Sequence, residues 1–320
     1  MKNKILQELP GIQKDVLMKN YTTYKIGGPA KYFFVAKTNE DLVKALRAAK
    51  NFKLPVFILG GGSNLLVSDK GLKGLVIKVS IDNIELDGNA VTAAAGVNLT
   101  KLANLLAKNN LTGFEWASGI PGGTVGGAIY GHAQAFGTKI SSSVESVRAV
   151  NLKNFRLEKF SKKQCKFSLK SSIFKKRKDL IIVSVVFKFK KAGLKEIQNK
   201  TKEFLTYRKT RHPLNFPSAG STFVNPEKRI KNRKLLEKFP ELENYNKIGV
   251  IPAGYLIEKC GLSGKKVGGA QISEKHANFI INIGGARAKD VMALMSLAKK
   301  EVKKCFGISL ESEVQFAGFY

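Results

Sequence analysis

The chain offers little of the chemistry that sulfur or metals provide. Its three cysteines, Cys165, Cys260 and Cys305, are far apart in sequence, odd in number and form no C-x-x-C pair. That excludes a disulfide framework and reads as idle thiols in a reducing compartment. The three histidines, His132, His212 and His276, have no metal-ligand spacing, so no metal is expected. No apolar run reaches the roughly 18 residues of a membrane span. The opening segment MKNKILQELPGIQKDVLMKN interrupts its apolar positions with acids and amides, unlike a signal peptide. A cytoplasmic protein is the expectation. Acids are also scarce: 24 Asp and Glu stand against 55 Lys and Arg, for a formal net charge of +31. Such a surface attracts polyanions. No basic block is interleaved with aromatics, however, and no RNP-type, zinc-finger or helix-turn-helix signature occurs. The charge therefore points to a phosphorylated, anionic small ligand and not to nucleic acid.

What is present is an alternation of strands and helices over 320 residues, enough for two or three packed lobes. Lys31 to Val35 is strand-like. Thr38 with Asp41 forms a capping-box pattern ahead of Leu42, Ala45, Leu46 and Ala49 at helical spacing. Pro55–Leu59, Leu65–Val67 and Leu75–Val79 read as strands, and ELDGNAV (85–91) as a hairpin about Asp-Gly. A helix is expected over 99–106, and strands over 144–151 and 180–189. A composition change at KKAG (190–193) marks a boundary. Beyond it, 195–208 predicts a helix burying Ile197, Phe204, Leu205 and Arg208. The strongest helix is 288–306, with a stripe of Val291, Leu294, Met295, Ala298, Val302 and Cys305, Asp290 near its start and Gly307 at its end. A final strand over 308–316 places Glu311, Glu313 and Gln315 on one face.

Three segments carry candidate chemistry. GGGSN (60–64) has the composition of a phosphate cradle: glycines free the backbone N–H groups to converge on an anion, and Ser63 and Asn64 add donors. No helix follows it and GK[ST] is missing, so it is neither a dinucleotide fingerprint nor a P-loop. Alone, it is more often a plain turn. A second glycine cluster, SGIPGGTVGGA (118–128), lets backbone pass close to something flat or charged. Together the two favour one extended cofactor bearing a diphosphate. PSAGSTFVNP (217–226) sets Ser221 after a glycine that exposes its hydroxyl, without the surroundings of a hydrolase nucleophile. A capping or turn serine is the plain alternative. The two acids of the last strand are solvated unless that face lines a cleft, where they serve acid–base work.

These segments occur in order with YTTYKIGGPAKYF (21–33), CKFSLKSSIFK (165–175), AGYLIEKCGLSG (253–264), KHANFIIN (275–282) and LESEV (310–314). Over nearly the whole chain the set resembles the UDP-N-acetylenolpyruvoylglucosamine reductase family, in its compact subtype. The resemblance implies an α+β fold. A two-lobed FAD-binding domain of the vanillyl-alcohol-oxidase/PCMH-like type would span 1–80 and 81–192, and a C-terminal α/β substrate-binding domain 193–320. It implies FAD as cofactor, NADPH as co-substrate and a UDP-sugar enolpyruvyl ether as substrate, reduced for peptidoglycan synthesis. Cofactor contacts are implied at Gly60, Gly61, Gly62, Ser63, Asn64, Ser118, Gly119, Ile120, Pro121, Gly122, Thr124, Gly126, Gly127 and Ala128. Ser221 is implied as proton donor, with Glu313 and Lys170 completing the catalytic set, and His212, Asn225, His276 and Gln315 as substrate contacts. No membrane insertion and no nucleic-acid partner are implied.

The chain also departs from the family pattern. Leu169-Lys170 stand for Tyr-Arg, so the charge survives without the planar fork. GHAQAFG (131–137) stands for GNAGAFG, and GIPGG has one extra glycine. His212, Val224 and Gln315 replace the usual residues near the substrate. Two other readings use the same residues: an FAD oxidoreductase with a different substrate, and a basic binding protein on a degenerate flavoprotein scaffold.

Overall fold

The strand Leu72–Val79 is apolar on both faces because it lies inside a sheet. In the computed structural model, which describes residues 2–320, it runs parallel to Pro29–Ala36 on one side and to Val56–Leu59 on the other. The four-stranded order is completed at the edge by Gln13–Leu17. The helix Asn39–Asn51 covers this sheet. Thr38 accepts from the Asp41 N–H and Asp41 returns the bond, which is the expected capping box. Leu42, Ala45, Leu46 and Ala49 are buried beneath it, as their spacing predicts.

The second sheet is antiparallel, in the order Leu157–Ser161, Val144–Asn151, Leu180–Lys188, Ala90–Ala94, Ile84–Asp87. Its last two strands are the ELDGNAV hairpin. Asp87 pairs with Ala90, leaving a two-residue turn in which Gly88 takes φ +59°. Phe114, Trp116, Phe187 and Phe189 stack within the core behind this sheet. Burying each such ring contributes on the order of 2–3 kcal/mol.

The chain divides into two compact units with interleaved segments. The first holds residues 2–16, 29–62 and 72–208; the second holds 17–28, 63–71 and 209–320. The first unit thus runs past the composition change at 190–193, because the helix Leu194–Arg211 buries Ile197 and Arg208 in it. Leu205, expected on that buried face, is 42% exposed, and Phe204 is only partly covered.

The second unit is organised on the helix Ala288–Phe306, which packs on the small antiparallel sheet Lys266–Val267, Ala270–Ile272, Ile280–Asn282 and on the helix Ala253–Lys259. Asp290 caps it by accepting from the Arg287 N–H, and Gly307 ends it at φ +69°. The buried stripe is as expected except at its end. Cys305 is exposed and Phe306, four residues beyond Val302, is buried in its place. Burial, with a lesser contribution from a hydrogen bond with Cys305, pushes the Cys260 thiol up to about 12. The final strand is shorter than its alternation predicts. Only Gln315–Ala317 is strand, parallel to Leu65–Val67, while Ser312 makes a single bridge to Phe223. Leu310 and Val314 are buried, but Phe316 turns outward at 42% exposure.

Candidate active site

Within the first unit, the two glycine clusters meet backbone to backbone. A Cβ on Gly61 would run into the carbonyl oxygen of Gly122, and one on Gly60 would lie 2.7 Å from Thr124 Oγ1. Gly62, Gly119 and Gly122 have φ of +66°, +73° and +64°, a region glycine enters without strain. Thr124 caps the short helix Val125–Tyr130 by accepting from the Gly127 N–H, and the Gly126 N–H donates to the Ala95 carbonyl. Two glycine-rich backbones that come this close, with Thr124 the one side chain at the crossing, leave main-chain N–H groups open to a diphosphate and a flat ring system. The residues present therefore fit FAD.

Two cations that sequence reasoning did not assign to the site support this cradle. Lys78 Nζ donates to the Gly60 carbonyl at 2.6 Å, and burial lowers its pKa. It is the one charged residue in the apolar run VIKV, which was the available signal. Arg208, 7% exposed, donates through Nε to the Ser118 carbonyl at 3.1 Å and through Nη2 to the Trp116 carbonyl at 2.8 Å. Its guanidinium also lies 5.0 Å from the Phe136 ring centroid. It fastens the segment leading into the second glycine cluster. Gly119 is held as well, its N–H donating to Thr100 Oγ1 at 3.2 Å.

Lys170 occupies the tip of a tight turn in the same unit. Ser168 and Ser171 exchange both backbone hydrogen bonds, at 3.0 and 3.1 Å, and Lys170 takes φ +50°. His132, buried after the helix Val125–Tyr130, reaches the Ser168 carbonyl through Nδ1 at 2.6 Å and Ser141 Oγ through Nε2 at 2.8 Å.

The second unit gathers the remaining expected residues. Gly220 turns at φ +75° and presents Ser221, which is half-buried. Next along the chain, Thr222 accepts at its carbonyl from the Glu313 N–H at 2.9 Å, and Val224 donates to the Glu311 carbonyl at 2.9 Å. The PSAGSTFVNP and LESEV segments are thus paired. Buried Asn278 fixes this pair: its side chain accepts from the Phe223 N–H and donates to the Phe223 carbonyl, both at 2.9 Å. Asn64, the last residue of GGGSN, donates its side-chain amide to the Glu313 carbonyl at 3.2 Å.

His212 and His276 lie edge to face with centroids 5.7 Å apart, and Phe279 packs on both. The Asn278 N–H donates to His276 Nδ1, which leaves Nε2 as the proton-bearing nitrogen of the neutral ring. Burial holds that imidazole below its usual pKa. Asn225 is exposed but accepts from the Ala253 N–H at 3.0 Å, and Gln315 sits beside Glu313, donating to its carbonyl at 3.4 Å. Phe279 and Asn278 were missed by sequence reasoning as supports, although both lie inside the KHANFIIN segment.

The same two segments of chain are matched by two family models. An FAD binding domain model matches residues 30–154, and a UDP-N-acetylenolpyruvoylglucosamine reductase C-terminal domain model matches residues 212–317. The UDP-N-acetylenolpyruvoylglucosamine reductase of Lachnoclostridium phytofermentans is 38% identical over 99% of this chain and 98% of its own. The chain belongs to the UDP-N-acetylenolpyruvoylglucosamine reductase family. The reductase of Anoxybacillus flavithermus is 36% identical over 99% of this chain and 98% of its own. The crystal structure of the reductase from Thermus caldophilus aligns with a TM-score of 0.76 at 30% identity, covering 96% of this chain and 99% of that one. The chain is accordingly an FAD-dependent oxidoreductase of this family, with NADPH as co-substrate and the α+β fold of an FAD-binding domain joined to the reductase C-terminal domain.

Proposed function

We propose that this chain reduces UDP-N-acetylglucosamine enolpyruvate to UDP-N-acetylmuramate for peptidoglycan synthesis, in the cytoplasm. The observation that most supports this reading is the pairing of the Ser221 and Glu313 segments through the Thr222 carbonyl, which holds a hydroxyl and a carboxylate on adjoining backbones. The segment 30–154 serves the cofactor and the segment 212–317 the substrate.

FAD, when bound, supplies the hydride relay between NADPH and substrate. Gly60 to Asn64 and the 118–128 segment would hold it. An enolpyruvyl ether that gains hydride at its vinyl terminus develops negative charge at the adjacent carbon, shared with its carboxylate. Lys170 opposes that charge and lowers the barrier, and Glu313 completes the catalytic set. Ser221 donates its hydroxyl proton to the same carbon from one side and so fixes the stereochemistry. His212, Asn225, His276 and Gln315 bind the UDP-sugar.

The test is an anaerobic titration of the purified, flavin-loaded protein. NADPH is expected to bleach the flavin absorbance, and the enolpyruvyl UDP-sugar to restore it. Bleaching without restoration would assign the chain to another substrate. A colourless protein that takes up no flavin would make it a non-catalytic scaffold.

A further inference from the structure

The Lys170 turn is held from behind by the helix that begins at the glycine cradle. Lys170 at φ +50° is in a conformation that a residue with a Cβ keeps only when its surroundings impose it. Three bonds impose it here: His132 Nδ1 to the Ser168 carbonyl at 2.6 Å, Ser172 Oγ to the Tyr130 carbonyl at 2.9 Å, and Lys175 Nζ to the Lys170 carbonyl at 2.9 Å. Two of them come from the C-terminal end of the helix Val125–Tyr130, whose cap, Thr124, lies against Gly60.

His132 is the member of this set whose chemistry is fully determined. The Ser168 carbonyl can only accept, so Nδ1 carries a proton; in the neutral ring Nε2 then accepts from the Ser141 hydroxyl. The ring stacks on Phe167 at 4.8 Å between centroids. With both nitrogens engaged and one face covered, it has no alternative orientation to occupy. A lysine ammonium needs such a frame more than a guanidinium does. It is a point charge on a flexible stem and has no fork to align itself on a carboxylate, so its placement must come from the backbone that carries it.

We propose that His132 is a positioning residue for Lys170: through the Ser168 carbonyl it sets the turn from which Lys170 meets the substrate carboxylate. The inference rests on the reading of Lys170 given above.

The test is a double-mutant cycle on the flavin-loaded enzyme. His132→Phe keeps a ring against Phe167 and loses both hydrogen bonds, whereas His132→Asn keeps a short donor toward Ser168. His132→Phe is expected to lower kcat/KM for the enolpyruvyl UDP-sugar about tenfold, with kcat falling as well as KM rising, because the contact it misplaces strengthens toward the transition state. Flavin content and the rate of reduction by NADPH are expected to stay at the parent level, and His132→Asn to recover most of the loss. In a Lys170→Met background, His132→Phe is expected to add less than about twofold, because the group it positions is gone. An equal loss in both backgrounds, or no loss in the parent while Lys170→Met is slow, would overturn the assignment to His132 alone. Lys170→Met with parental kcat/KM would overturn the Lys170 reading and this inference with it. If His132→Phe does not accumulate, Ser141→Ala, which removes only the Nε2 partner, takes its place in the same cycle with the same expectations at smaller size.

Discussion

The side-chain amide of Asn64 donates to the main-chain carbonyl of Glu313 at 3.2 Å, while the Asn64 carbonyl accepts from the Gln315 N–H at 2.9 Å. A residue read from sequence as a phosphate donor therefore also fastens the strand Leu65–Val67 to the segment bearing the candidate acid. Movement at the end of GGGSN and movement at Glu313 are coupled by these two bonds and by the parallel pairing that continues through Leu65 and Gln315.

Gly61→Val is expected to abolish flavin retention. The new Cβ runs into the Gly122 carbonyl oxygen, which is backbone and cannot rotate away. The ratio of flavin to protein absorbance after purification reads this directly. Full occupancy in the variant would mean that the two glycine clusters do not form the cofactor cradle.

Arg208→Met is expected to destabilise the fold and loosen the flavin together. It leaves the Trp116 and Ser118 carbonyls without their donor. Each buried acceptor so abandoned costs about 1–3 kcal/mol, so the two together are expected to lower the unfolding free energy measured in urea by roughly 2–6 kcal/mol. Arg208→Lys, which can satisfy one carbonyl, is expected to fall between. An unchanged unfolding midpoint would contradict the clamp.

Much of this was legible in the sequence, and the failures have physical causes. The capping box at Thr38 and Asp41, the Asp-Gly hairpin and the stripe of the helix Ala288–Phe306 are set by local chemistry, which a sequence displays. The pairing of the segments that carry Ser221 and Glu313 is set by the Thr222 carbonyl and by Asn278, bonds between residues tens of positions apart that leave no periodic trace. The same reason hid the interleaving of segments 17–28 and 63–71 with the C-terminal unit. The terminal strand failed differently: its alternation is real at Leu310 and Val314, but only three residues find a ladder partner. Arg208 was correctly placed on a buried face, yet composition alone could not say that two carbonyls await it.

Stability is expected to fall as pH drops below about 6.5, before most carboxylates titrate. Burial holds His132 and His276 below their usual pKa, and the charges of Lys139 and Lys170 push His132 the same way. The unfolded chain therefore takes up protons near 6.5 that the folded one refuses. The stability present above that pH is lost as pH falls toward the folded values. Urea midpoints at about pH 8 and pH 5.5 measure it, and His276→Gln is expected to flatten the slope. A slope unchanged in that variant would remove His276 from the account.

Lys170→Arg is expected to preserve turnover or raise it, since a guanidinium supplies two parallel donors to a carboxylate where an ammonium supplies a point charge. Steady-state kcat/KM for the enolpyruvyl substrate is the measurement. A loss beyond about tenfold, or roughly 1.4 kcal/mol in the barrier, would show that the turn held by His132 is built for lysine and does not seat the larger head.

The central claim is that Ser221 delivers the proton, and Ser221→Ala tests it most directly through the two half-reactions measured separately by anaerobic stopped-flow. NADPH never meets that proton, so flavin reduction is expected at the parental rate and flavin content unchanged. Reoxidation by the enolpyruvyl UDP-sugar is expected to slow by about 10²–10⁴-fold, the scale of losing a positioned general acid, with substrate affinity little altered. Reoxidation at the parental rate would contradict the role of Ser221, and an equal loss in both halves would reduce the residue to a structural turn.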